Sequence, residues 1–184
     1  MQFSLFARPL SAPPAACVAG QPAAQPGHLL TVDAAGVRAA TPSEIFTAAR
    51  QAAAQALASG PVLSRSQDVR TYLSARLAGC DIELFAVLLL DSQNRVIDYS
   101  EPFRGTLGSC NVYPREVVRI ALKHRAASVI VAHNHPSGTL DPSRADLAIT
   151  RSLRDALALV DVRLVDHFIV AGSGSYSLAE NGQL

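Results

Sequence analysis

The rhythm of apolar and polar positions changes twice along this chain. Residues 1–40 follow no hydrophobic period, and five of the eleven prolines fall there with only three formal charges, Arg8, Asp33 and Arg38. That texture predicts a mostly irregular, Pro/Ala-rich arm. Thr41-Pro42-Ser43-Glu44 then reads as a helix start, with Thr as cap, Pro in the first turn and Glu three residues on. The Ala-rich stretch to Ala58 predicts a helix that Gly60-Pro61 stops, so residues 41–61 form an N-terminal helical segment. A second helix is expected over Asp68–Leu77, punctuated by Gly79.

From Ile82 onward the pattern is that of strands alternating with helices. Leu84–Leu90 is short and continuously apolar, as a buried strand is. Asp91-Ser92-Gln93-Asn94 is turn chemistry, and Arg95–Ser100 and Phe103–Thr106 read as two further strands. Pro114 opens a helix to about Arg125, Ser128–Ala132 is a second buried strand, and Ser143 begins a helix to about Val160. Val162–Val170 and Tyr176–Leu178 complete the set, joined through Gly172 and Gly174. Helices interleaved with buried strands predict an α/β or α+β sandwich around one sheet.

Composition narrows the function classes. A length of 184 residues suits one core-bearing domain, and 49% hydrophobic against 17% charged residues is globular rather than disordered. The net charge of +1 builds no bulk electrostatic grip on nucleic acid. Three cysteines, Cys17, Cys80 and Cys110, with no CxxC, exclude a disulfide framework and a thiolate zinc knuckle, and point to a reducing cytoplasm. No apolar run approaches the roughly 18 residues a membrane span needs. Arg8 is the only early positive charge, and Pro9, Pro13 and Pro14 interrupt any signal-peptide core, so secretion is not expected.

The chemistry concentrates in His133-Asn134-His135-Pro136-Ser137-Gly138, followed by Ser143 and Asp146. Two histidines two apart on a strand share a face, and Pro136 and Gly138 end the strand, which puts the pair at a sheet edge. Neutral imidazoles are common zinc ligands. Counting back from Ile149, Leu153, Leu157 and Val160 places Asp146 at the head of a buried helix face, where a carboxylate needs a partner. Two His and one Asp supply three ligands and leave a fourth position for water. The competing reading is a capping box, Ser143-x-x-Asp146, that merely satisfies helix amides. Glu83, on the face of Phe85, Val87 and Leu89, is the candidate general base; the alternative turns it to solvent at a frayed strand end. Glu101 and Glu116 are rivals, although Glu116 already complements a helix dipole.

His167 sits in an apolar run, as a satisfied core histidine does. His28 and His124 have no partner in sequence, and Cys110 is assigned no role. Arg115, Arg119 and Lys123 form a basic stripe, read first as a solvated helix face and second as a phosphate contact. The tight His-Asn-His spacing does not suit an HNH nuclease.

His-x-His, seven residues, Ser, two residues, Asp, with a Glu from an upstream strand, resembles the JAMM signature of the Jab/MPN metalloproteases. The surrounding words resemble its bacterial RadC-like branch: Glu83–Asp91, Phe103–Leu107, Val112–Val118, Ala132–Gly138 and Val165–Val170. The likeness covers roughly residues 62–184. It implies a Jab/MPN-like (cytidine-deaminase-like) architecture with a mixed sheet flanked by helices. It implies one Zn2+ held by His133, His135 and Asp146, with Glu83 acting through the bound water and Ser143 steadying the tetrahedral intermediate. The implied reaction is hydrolysis of a peptide or isopeptide bond in a protein substrate. The alternative is a non-catalytic or DNA-repair-associated partner-binding protein that retains the metal site. No glycine hairpin like that of the longer members' helix-hairpin-helix region precedes residue 62, which leaves nucleic acid as the weaker of the implied partners. Nothing in the pattern marks an oligomer interface.

Overall fold

The computed structural model describes residues 29–33, 36–58, 65–105 and 110–184. Most of the expected irregular arm, with Cys17 and His28, lies outside these residues, as do the Gly60-Pro61 helix stop and the strand end at Thr106. The chain falls into two compact units, Met1–Ala48 and Ala49–Leu184.

The first unit corrects the expectation for the arm. Leu30–Asp33 (β1) and Gly36–Ala39 (β2) pair as an antiparallel hairpin, in register Leu30↔Ala39. Four-residue strands carry too few alternations for a period of two to register, and these bury no apolar face. The helix start is as the sequence implies. Pro42–Ala58 (α1) begins after Thr41, whose Oγ1 accepts from Glu44 N–H at 3.3 Å while Glu44 Oε2 accepts from Thr41 N–H at 2.8 Å. Arg38 clamps the junction, pairing with Asp33 and Glu44.

The second unit is a five-stranded mixed sheet between helices. Its elements are Ser66–Leu77 (α2), Leu84–Leu90 (β3), Val96–Arg104 (β4), Pro114–Lys123 (α3), Ser128–Asn134 (β5), Arg144–Ala158 (α4), Arg163–Ala171 (β6) and Gly174–Ser177 (β7). The strand order is β4-β3-β5-β6-β7, and only β5 and β6 run parallel. Strand β3 is buried at every position, and its alternation divides the core. Phe85, Val87 and Leu89 face α3 and α4, meeting Val117, Ala121, Leu153 and Leu157. Leu84, Ala86, Leu88 and Leu90 face the other layer, meeting Val69, Leu73 and Leu77 of α2 and Ala53 of α1. A strand covered on both faces needs no polar alternate residue, which is why β3 reads as an unbroken apolar run.

Two boundaries differ from the sequence reading. The stretch expected as two strands around Glu101-Pro102 is one continuous strand, β4. It is the sheet's outer strand, so Pro102 withholds no N–H that a neighbour needs, and a register shift opposite Phe85–Val87 takes up the distortion. Strand β5, the only element carrying both a parallel and an antiparallel neighbour beside β6, is the central strand. The histidine pair therefore lies at the end of the central strand, where the chain leaves the sheet, and not along an edge strand. Among the described residues, no helix is long and apolar enough to cross a membrane.

Leu153 is fully buried on α4 and holds that helix against the sheet. Leu153→Ala is expected to lower stability by about 2–5 kcal/mol, read by denaturant unfolding.

Candidate metal centre

The site begins with the last residues of β5. His133, 1% exposed, and His135 project to the same face, and their Nε2 atoms lie 2.9 Å apart. Asp146, in the first turn of α4, comes to 3.2 Å from His133 Nε2 through Oδ1 and to 3.5 Å from His135 Nε2 through Oδ2. Among the described residues, these three offer donor atoms all within 4.8 Å of one another and could hold a metal ion.

The histidine tautomers follow from the hydrogen-bond network. Thr150 Oγ1 donates its one proton to the Asp146 carbonyl at 2.5 Å. The same oxygen lies 2.6 Å from His167 Nδ1, so that nitrogen must be the donor. His167 Nε2 is then an acceptor, and 2.8 Å away it takes the proton of His133 Nδ1. His133 Nε2 is left with a lone pair. His167 is entirely buried, and desolvation, with His133 and His135 nearby, pushes its pKa well below the ordinary histidine value despite Asp146. It stays neutral, as this relay requires. His135 is oriented separately: its Nδ1 donates to the Thr139 carbonyl at 2.7 Å. Gly138, at φ +85°, makes the turn that brings that carbonyl back. Two lone pairs thus face each other beside a carboxylate. This donor set suits a metal cation.

The two readings of Asp146 prove compatible. Oδ2 accepts from Ser143 N–H at 2.7 Å, and Ser143 Oγ accepts from Asp146 N–H at 3.1 Å, completing a capping box. The same carboxylate faces the histidines. Burial alone would raise its pKa; the contact with His133, in the protonated form of that imidazole, and the Ser143 hydrogen bonds outweigh burial and hold it below the usual carboxylate range.

A cavity of about 550 Å³ opens over the three groups, lined also by Glu83, Ser143, Val112 and Ile149. Glu83 is half-buried one residue before β3. Burial raises its pKa; His133 and His135 oppose the rise and Asp146 adds to it. Cys110 lines the cavity too, and burial followed by the Glu83 charge pushes its thiol up. The rivals lie elsewhere. Glu101 accepts from Tyr99 Oη at 2.9 Å and pairs with Arg76, and Glu116 pairs with Arg119 at 2.8 Å.

The family described as the RadC-like JAB domain matches residues 63–183. The chain belongs to this family. A RadC-like JAB domain is a member of the JAB/MPN superfamily, and the mixed sheet with its flanking helices is consistent with that fold. The chain is similar to UPF0758 proteins of Herminiimonas arsenicoxydans, 51% identical over 140 residues covering 76% of this chain and 62% of that one, and of Halorhodospira halophila, 54% identical over 136 residues covering 74% and 61%. A UPF0758 protein of Leptothrix cholodnii is 48% identical over 167 residues, covering 86% of this chain and 75% of its own. The chain thus spans about three-fifths of the length of the first two relatives.

The structure brings His133, His135 and Asp146 together and sets Glu83 and Ser143 on the same cavity, whereas the residues that support them were not read from the sequence. His167 is the core histidine expected, yet it also aims His133. Thr150 is one helical turn after Asp146 on the buried face, a spacing that could have flagged it. The Thr139 carbonyl leaves no trace in sequence. His124, unpartnered in sequence, lies 3.5 Å from Asp98. The basic stripe is solvated at Arg115 and Arg119, with side chains 80% and 65% exposed.

His167→Phe removes the acceptor that fixes the His133 tautomer. It is expected to weaken metal binding about 10–100-fold in a chelator competition, and His133→Ala more severely.

Proposed function

We propose that this domain is a zinc-dependent hydrolase of peptide or isopeptide bonds. The observation that carries the reading is the convergence of two imidazole lone pairs and one carboxylate in a cavity that a half-buried glutamate also lines. Tetrahedral zinc with Zn–N of about 2.0–2.1 Å implies ligand edges of about 3.3 Å. The Nε2–Nε2 and His133 Nε2–Asp146 Oδ1 separations here, 2.9 and 3.2 Å, lie near that value. Three protein ligands with a fourth position open is the count of catalytic rather than structural zinc sites.

Zinc in this position would lower the pKa of a water to about 7 and polarise an amide carbonyl. Glu83 would accept the proton of the attacking water and deliver it to the leaving amine. Its raised pKa suits a group that must hold the proton between those two events. Ser143 Oγ accepts from Asp146 N–H, so its own proton is free to donate to the oxyanion as charge develops on the carbonyl. Asp146 stays ionised, as a ligand must. Val112 and Ile149 give the cavity an apolar wall, which lowers the local dielectric and strengthens each charge-assisted step. The substrate proposed is a peptide or protein segment that can reach the end of the central strand.

Metal analysis of the purified chain is expected to give about one zinc per chain, and stripping it with a chelator to abolish cleavage in a fluorogenic peptide screen. Glu83→Gln should keep the metal and lose at least about 100-fold in turnover. Normal turnover by Glu83→Gln would remove the glutamate from its role. No zinc uptake on titration would sink the whole reading. A zinc-loaded wild type that cleaves nothing would leave the non-catalytic, partner-binding role.

A further inference from the structure

The residue between the two histidines does a different job from either. Strand alternation sends the Asn134 side chain to the opposite face of the sheet from His133 and His135, and it does not line the cavity. It is 4% exposed, and a buried amide without partners is costly. Its partners are three backbone groups in one short segment. Oδ1 accepts from Leu84 N–H at 2.8 Å, and Nδ2 donates to the Ile82 carbonyl at 2.9 Å and to the Cys80 carbonyl at 3.4 Å. These partners fix which end of the amide is oxygen, since a flipped amide would set donor against donor and acceptor against acceptor.

Leu84 and Ile82 are the two neighbours of Glu83. The β3–β5 ladder runs out at Phe85↔His133, and one residue further on the Asn134 amide continues it in side-chain form. On the other side, the Glu83 carbonyl accepts from Gly105 N–H at 2.8 Å. The backbone carrying Glu83 is therefore held from both flanks at the point where β3 begins, by β4 on one side and by Asn134 on the other. Without the amide, Ile82 and Leu84 would lose these hydrogen bonds on the β5 side, and the backbone at Glu83 would keep its β4 bond alone.

We propose that Asn134 is a positioning residue: bridging Ile82 and Leu84 across the sheet end, it sets where the Glu83 carboxylate stands over the two histidines. One strand residue thereby couples the base to the ligands, because its neighbours on either side are the imidazoles themselves. This inference deepens the hydrolase reading and rests on it for the role of Glu83.

The test compares crystal structures of the zinc-soaked full chain as wild type, Asn134→Ala and Asn134→Asp. Asn134→Asp keeps the volume and the acceptor for Leu84 N–H but loses both donations, so it serves where Asn134→Ala does not fold. Leu73→Ala, a truncation within the same apolar cluster that removes no hydrogen bond to residues 80–84, controls for general destabilisation. In both Asn134 variants the Glu83 carboxylate is expected to move by at least about 1 Å, with His133, His135 and Asp146 unmoved. A shift of that size should lower kcat by about 100-fold in the fluorogenic peptide assay, with KM unchanged. Leu73→Ala should leave the Glu83 position as in wild type. Glu83 unmoved in the Asn134 variants, or moved equally in Leu73→Ala, overturns the proposal. Absence of zinc and cleavage in wild type would count against the hydrolase reading instead, while the coordinates would still decide whether Asn134 places Glu83.

Discussion

Two imidazole lone pairs held 2.9 Å apart repel each other unless a positive charge lies between them. The fold fixes both of them. His133 is locked by a buried relay through His167 to Thr150, and His135 by a backbone carbonyl brought round by a glycine turn. Asp146 brings a negative charge to the same point and strengthens the demand for a cation there. The rest of the second unit can be understood as the scaffold that keeps this arrangement in place.

That scaffold divides its tasks between the two faces of the sheet. The face under α3 and α4 carries the two histidines, Asp146, their relay and the cavity. The face under α1 and α2 carries apolar packing and the Asn134 amide, which reaches around the end of β3. Strand β3 serves both, since its alternate residues feed the two cores and Glu83 immediately precedes it. A central strand buried on both sides is stiff, which suits a site whose donors must not drift.

Much of this was legible in sequence because it depends on periodicity. The buried strands, the helix starts at Thr41, Pro114 and Ser143, and the placement of Asp146 on the inner face of α4 all follow from spacing along the chain. What was not legible depends on pairing between distant segments. Nothing local says that Pro102 lies on an outer strand and can be tolerated there, or that β5 is central. Residues 30–39 hide a hairpin because exposed strands of four residues show no apolar alternation. His167 was readable as a core histidine, but its contact with His133 arises only once β6 lies parallel to β5. The choice between a cap and a ligand for Asp146 was a false one, since a carboxylate has two oxygens and lone pairs for both tasks.

That double use of Asp146 bears on how the domain responds to losing an ion. Its carboxylate closes the first turn of α4 through Ser143 whether or not a cation is present. Small zinc modules collapse when stripped, because coordination is most of what folds them. Here the helix has its own fastening and the hydrophobic layers stand beneath it. A cation bound there would meet a helix start that is already fastened, so its loss would leave the fold beneath it in place.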